Sequence, residues 1–217
     1  MLAHIKDVII KAVLAGIAIG VGGTLYLSVD NKYLGSLLFA IGLFCIFSFG
    51  FNLYTGKIGF LITEKNKRRF AVDLILIWLG NLIGTGLTAL CLKLTRISSI
   101  LSQKASELCI IKLSDDLLSI FILSVFCGLL MYIAAYNYGY GKNTAQKYIA
   151  TFICVMVFIL CSFEHCVANM FYFWISFSFT PKTLLYLLIM TIGNSLGAFI
   201  IPLSLKFCSE NNRSDTN

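Results

Sequence analysis

The chain alternates long apolar stretches with short polar connections. The apolar runs cover residues 8–29, 34–62, 72–92, 117–138, 148–179 and 184–207. Each reaches the roughly 20 residues an α-helix needs to cross the hydrocarbon core of a bilayer. The pattern therefore predicts an all-α membrane protein with six transmembrane helices. One long polar connection, 93–116, falls in the middle, and no Pro/Ser-rich linker divides the chain. Residues 1–208 thus read as a single transmembrane domain and 209–217 as a polar tail.

Runs two and five break the pattern. Each holds about 30 residues, more than a straight span requires, and each is interrupted by polar groups. The first interruption is Asn52-Leu53-Tyr54-Thr55-Gly56-Lys57; the second is Glu164-His165, with Asn169 one turn on. Irregular backbone is tolerated at membrane depth only where it packs inside protein or lines a cavity. Matching interruptions in two halves of a chain are a pointer to a transport site. The third and sixth runs then carry related signatures, Gly80-Asn81-Leu82-Ile83-Gly84 and Gly193-Asn194-Ser195-Leu196-Gly197. In both, the glycines have the spacing that lets helices approach closely. Three runs per half is an odd number, which predicts an inverted 3+3 repeat with its second and fifth helices broken.

Composition supports the membrane reading. Of 217 residues, 59% are hydrophobic and 12% charged, against about 45–50% and about 25% in soluble domains. A soluble enzyme and a disordered tail are excluded. The net charge of +7 does not indicate a nucleic-acid partner, because Lys and Arg instead mark cytoplasmic loops. With the N-terminus inside, eleven basic residues fall on the inner side and six on the outer, so both termini are expected in the cytoplasm. The densest cluster, 64–69, becomes an inner loop. The eight cysteines form no C-x-x-C pair, and neither a zinc set nor a disulfide framework can be drawn. No metal or other cofactor is expected. Run 8–29 is too long for the apolar core of a cleavable signal and reads as a retained first helix.

Leu53-Tyr54-Thr55-Gly56-Lys57 followed by Gly80-Asn81, then Phe163-Glu164-His165-Cys166-Val167-Ala168-Asn169-Met170-Phe171 followed by Gly193-Asn194, resembles the formate/nitrite transporter family. The resemblance spans nearly the whole chain. It implies an aquaporin-like protomer with its own pore, assembled as a homopentamer in a bacterial-type cytoplasmic (plasma) membrane. It also implies roles for individual residues. His165 matches the central histidine and Thr55 the broken-helix threonine, together forming the pore and proton relay. Lys112 matches a lysine that opens the fourth helix and attracts anions at the outer mouth. Phe39 and Phe158 would form an outer constriction; Leu43, Leu53 and Tyr54 would form an inner one. Glu164, Asn169, Asn81 and Asn194 read as structural at the breaks, with Lys57 a candidate partner for Glu164. A family asparagine sixteen residues after the lysine falls on Gly128, where the smaller residue could widen the pore or admit a water.

The function this implies is passage of a small monovalent weak-acid anion such as formate, proton-coupled or pH-gated through His165. Burial favours a neutral imidazole, and an arriving anion would favour the imidazolium and share its proton. The substrate partners are then such an anion and protons, with membrane lipid around the assembly. Nitrite and hydrosulfide fit the same relay. A neutral-solute, aquaporin-like pore is the alternative in kind. An intramembrane enzyme using His165 and Glu164 as acid and base lacks a nucleophile or metal set.

Overall fold

The computed structural model describes residues 2–214, and these form α1 (Leu2–Ser28), α2 (Lys32–Phe49), α3 (Tyr54–Lys57), a 3-10 turn (Ile58–Ile62), α4 (Lys67–Lys93), α5 (Ser98–Ser114), α6 (Leu117–Tyr140), α7 (Thr144–Leu160), α8 (Cys166–Ile175) and α9 (Pro181–Ser214). Among the described residues, α1, α2, α4, α6 and α9 are each long and apolar enough to cross a membrane. Both overlong apolar runs are divided: 34–62 into α2, α3 and the 3-10 turn, and 148–179 into α7 and α8. Residues 209–214, expected as tail, continue α9; residues 215–217 of that tail lie outside the described residues.

Side-chain caps set several helix starts. Asn31, Asn66, Asp116 and Asn143 accept hydrogen bonds from backbone N–H groups in the first turns of α2, α4, α6 and α7, satisfying donors that a helix cannot pair internally. The polar connection 93–116 contains a 17-residue helix, α5. It buries Leu101, Ala105 and Cys109, a four-residue spacing that keeps one narrow apolar face inward, and packs mainly on α8 and α1. Lys104 of α5 reaches Asp30, beyond the end of α1, at 2.7 Å, and this ammonium holds the Asp30 carboxyl below the usual carboxylate range.

The core is built from two close helix crossings. α1 lies against α4, and α6 against α9. A Cβ on Gly16 would fall on the carbonyl oxygen of Asn81, and one on Gly128 would fall on that of Asn194. Both positions need glycine because the facing backbones touch. Gly128 therefore neither widens a pore nor makes room for a water beside Lys112; its missing side chain is filled by α9.

Backbone hydrogen bonds at the two breaks recur with a constant offset of 112 residues. α2 ends with Gly50 at φ 66°, and α7 is followed by Ser162 at φ 57°. In each case the next N–H turns back on the helix: Phe51 to the Ile46 carbonyl and Phe163 to the Phe158 carbonyl, both at 2.8 Å. This is the six-to-one bond of a Schellman turn. The following N–H groups then leave for a neighbouring helix, Asn52 to the Lys11 carbonyl at 3.1 Å and Glu164 to the Leu123 carbonyl at 3.3 Å. Gly50 adopts the left-handed conformation at no side-chain cost; Ser162 adopts it despite its Cβ.

Candidate pore and substrate site

Each break would leave buried backbone groups without partners, and an asparagine supplies them. Asn81 Oδ1 accepts from the Tyr54 N–H at 2.9 Å, and its Nδ2 donates to the Ala12 and Asn52 carbonyls at 2.8 and 2.9 Å. Asn194 Oδ1 accepts from the Cys166 N–H at 2.9 Å, and its Nδ2 donates to the Ser124 and Glu164 carbonyls at 2.8 Å each. One primary amide thus satisfies a donor and an acceptor at the start of each short helix and adds a bond to a carbonyl of a neighbouring long helix, using both of its N–H groups.

The two short helices meet through Thr55 and His165. Thr55 Oγ1 lies 2.8 Å from His165 Nε2, and both residues are buried. His165 also caps α8, its Nδ1 accepting from the Ala168 N–H at 3.0 Å. A ring nitrogen that accepts carries no hydrogen, so the neutral tautomer is assigned from its partners. The hydrogen sits on Nε2 and is donated to Thr55. Phe158 stacks on the imidazole at 5.5 Å between centroids, and Phe39 meets Phe158 edge-on at 5.8 Å.

Two chambers flank this contact. The smaller, about 70 Å³, is lined by Lys112, Phe158, His165, Asn169 and Tyr172 among others. The larger, about 700 Å³, is lined by Leu53, Lys57, Phe60, Glu64 and Tyr138 among others. They share no lining residue, and Phe39, Leu43 and Thr55 are each 1% exposed. The structure is closed at this level. Tyr54 is turned toward α9, its hydroxyl 2.9 Å from Ser195 Oγ, while Leu53 faces the larger chamber.

Two expectations from sequence need correction. Lys112 does not open a membrane helix; it lies in the last turn of α5, which carries it over the second break. Glu164 pairs with Lys112 and not with Lys57: Lys112 Nζ lies 2.8 Å from Oε1 and 2.6 Å from Oε2, whereas Lys57 lines the opposite chamber. Asn169 Nδ2 donates to Glu164 Oε2 at 2.7 Å and to the His165 carbonyl at 3.0 Å. The smaller chamber therefore ends on a charge-compensated pair, which lowers the cost of burying either ion. Tyr26 and Tyr172 also line it, and neither stood out in the sequence because both read as ordinary apolar-run aromatics. Ser195 sits inside the second glycine signature and was legible there only as a spacer. Among the described residues no group of three or more His, Cys, Asp or Glu side chains could hold a metal ion.

A sequence model described as Formate/nitrite transporter matches residues 2–207. The formate channel FocB of Escherichia coli is 23% identical over 184 residues, covering 76% of this chain and 64% of FocB. The formate channel FocA of Haemophilus influenzae is 26% identical over 150 residues, covering 65% of this chain and 52% of FocA. The aligned segments thus span under two thirds of these relatives' lengths. Among solved structures, a pentameric formate channel with formate bound superposes with a TM-score of 0.83 at 22% identity, covering 96% of this chain and 98% of that one. An FNT family ion channel superposes with a TM-score of 0.78 at 23% identity, covering 95% and 90%. These superpositions give a shared fold, and the extent of the sequence match gives the lineage: the chain belongs to the formate/nitrite transporter family.

Proposed function

We propose that this chain is one protomer of a homopentameric channel or transporter for a small monovalent weak-acid anion of the formate type. The observation that carries the reading is the buried Thr55–His165 contact, set between two chambers where two broken helices meet. Family membership and the formate-bound fold neighbour support it. In this reading α2 with α3, and α7 with α8, each count as one span. The six spans then form an inverted 3+3 repeat, as the constant offset at the breaks suggests. The excess of basic residues on one side supports a bacterial-type plasma-membrane protein with both termini cytoplasmic.

A bare anion pays heavily for leaving water, and the neutral acid does not. Phe39, Phe158, Leu43 and Leu53 form the apolar barrier on either side of a single polar rung, His165 with Thr55. Lys112 retains one N–H after its two contacts with Glu164, since an ammonium carries three, and draws the anion to the smaller chamber. Proton coupling at His165 requires Nδ1 to release the Ala168 N–H before it takes a second proton. Nitrite and hydrosulfide fit the same barrier.

The test is flux of formate, nitrite and hydrosulfide into proteoliposomes at two pH values. Formate flux at fixed total concentration is expected to rise as pH falls. Swelling in a neutral osmolyte with no weak-acid flux would instead make this a neutral-solute pore.

A further inference from the structure

Among the described residues, Asn169 Oδ1 is the buried side-chain oxygen or nitrogen with no hydrogen-bond partner. Asn169 is 1% exposed and lines the smaller chamber with Lys112 and His165. Its amide cannot be turned over to relieve this. Both partners of Nδ2, a Glu164 carboxylate oxygen and the His165 carbonyl, are acceptors, so a flip would set oxygen against oxygen. A side chain that lines the chamber therefore keeps a fixed, unused acceptor, where an unpaired polar atom costs about 1–3 kcal/mol.

A bare anion offers only acceptors and cannot answer that need. A neutral weak acid offers one acceptor and one donor. We infer that Asn169 Oδ1 receives the O–H (or S–H) of the protonated substrate while the remaining Lys112 N–H donates to the substrate's acceptor atom. Asn169 is thereby a specificity-determining residue that selects the protonated form in the smaller chamber. No proton is transferred by this pair; the acid arrives with its proton or gains it nearby, and Asn169 recognises the result. The inference rests on the weak-acid reading of the function and sharpens it.

Formamide is the probe, because it is uncharged and presents a carbonyl acceptor and an N–H donor in nearly the shape of formic acid. In proteoliposomes, formamide is expected to inhibit formate flux through the unaltered protein competitively. N,N-dimethylformamide, which lacks the donor, is expected to inhibit much less. Asn169→Ala is expected to lower formate flux at low pH about three- to tenfold, the range one hydrogen bond spans, and to abolish the formamide effect. Failure of formamide to inhibit the unaltered protein overturns the inference, whether or not the variant assembles. Equal inhibition of protein and variant overturns it too. If the unaltered protein passes none of the weak acids, the functional reading itself falls; if it passes formate but ignores formamide, only the role of Asn169 falls.

Discussion

Asn81 and Asn194 hold the short helices α3 and α8 in the same way, each taking one backbone N–H and giving to two carbonyls. Alanine at either position strands two buried backbone groups, the Tyr54 N–H and Asn52 carbonyl or the Cys166 N–H and Glu164 carbonyl, at about 1–3 kcal/mol for each one left unpaired. We expect Asn81→Ala and Asn194→Ala to lower the melting temperature in detergent by similar, large amounts. A variant that melts with the parent protein would show that the amide is not what holds its break.

The charge pair at the second break gives a separable effect. Removing Lys112 leaves the Glu164 carboxylate buried with only an amide for support, and breaking such a pair costs about 3–5 kcal/mol. Lys112→Ala is expected to be strongly destabilised, and Lys112→Ala with Glu164→Gln to recover most of the loss while remaining poor in formate uptake at low concentration. Thermal melts of the two singles and the double complete the cycle. Additive losses would mean that the pair is not coupled.

Asparagine can replace histidine as a helix cap but cannot supply Nε2. His165→Asn is therefore expected to melt within about 1 kcal/mol of the parent, the usual scale of a cap, with flux down tenfold or more if one barrier hydrogen bond is lost to a charged state. His165→Phe should lose both cap and flux. Parent-like flux in a well-folded His165→Asn protein would remove the imidazole from the mechanism.

Gly128→Asn tests the packing directly. The new side chain meets the α9 backbone at Asn194, and overpacking against backbone exceeds the usual cost of about 1–3 kcal/mol for an oversized core residue. We expect loss of the assembled peak in size-exclusion chromatography, and the same for Gly16→Ala, whose Cβ meets Asn81. Normal assembly of Gly128→Asn would show that α6 and α9 can separate.

The breaks were legible in the sequence because polar residues stand out against long apolar runs, and Asn52, Glu164 and His165 sit where α2 and α7 have ended. The glycine signatures were legible for the same reason, as small residues among large ones. Helix α5 was not. Its buried stripe consists of Leu101, Ala105 and Cys109, too small to register against Lys104, Glu107 and Lys112 on the same turns. Without α5, no sequence pattern brings Lys112 over the second break to meet Glu164. Ion pairs between distant segments are fixed by packing, and no local pattern encodes them. Gly128 misled for a related reason. Counting along the chain identifies a station on a helix but not which neighbour it faces.

The offset of 112 residues carries one more implication. It pairs Asn169, in the smaller chamber, with Lys57, in the larger. Equivalent stations of the two short helices thus line different chambers and carry different chemistry, an ammonium in the larger and a carboxamide beside Lys112 in the smaller. The two chambers therefore differ in their side chains although the backbone bonds beside them recur.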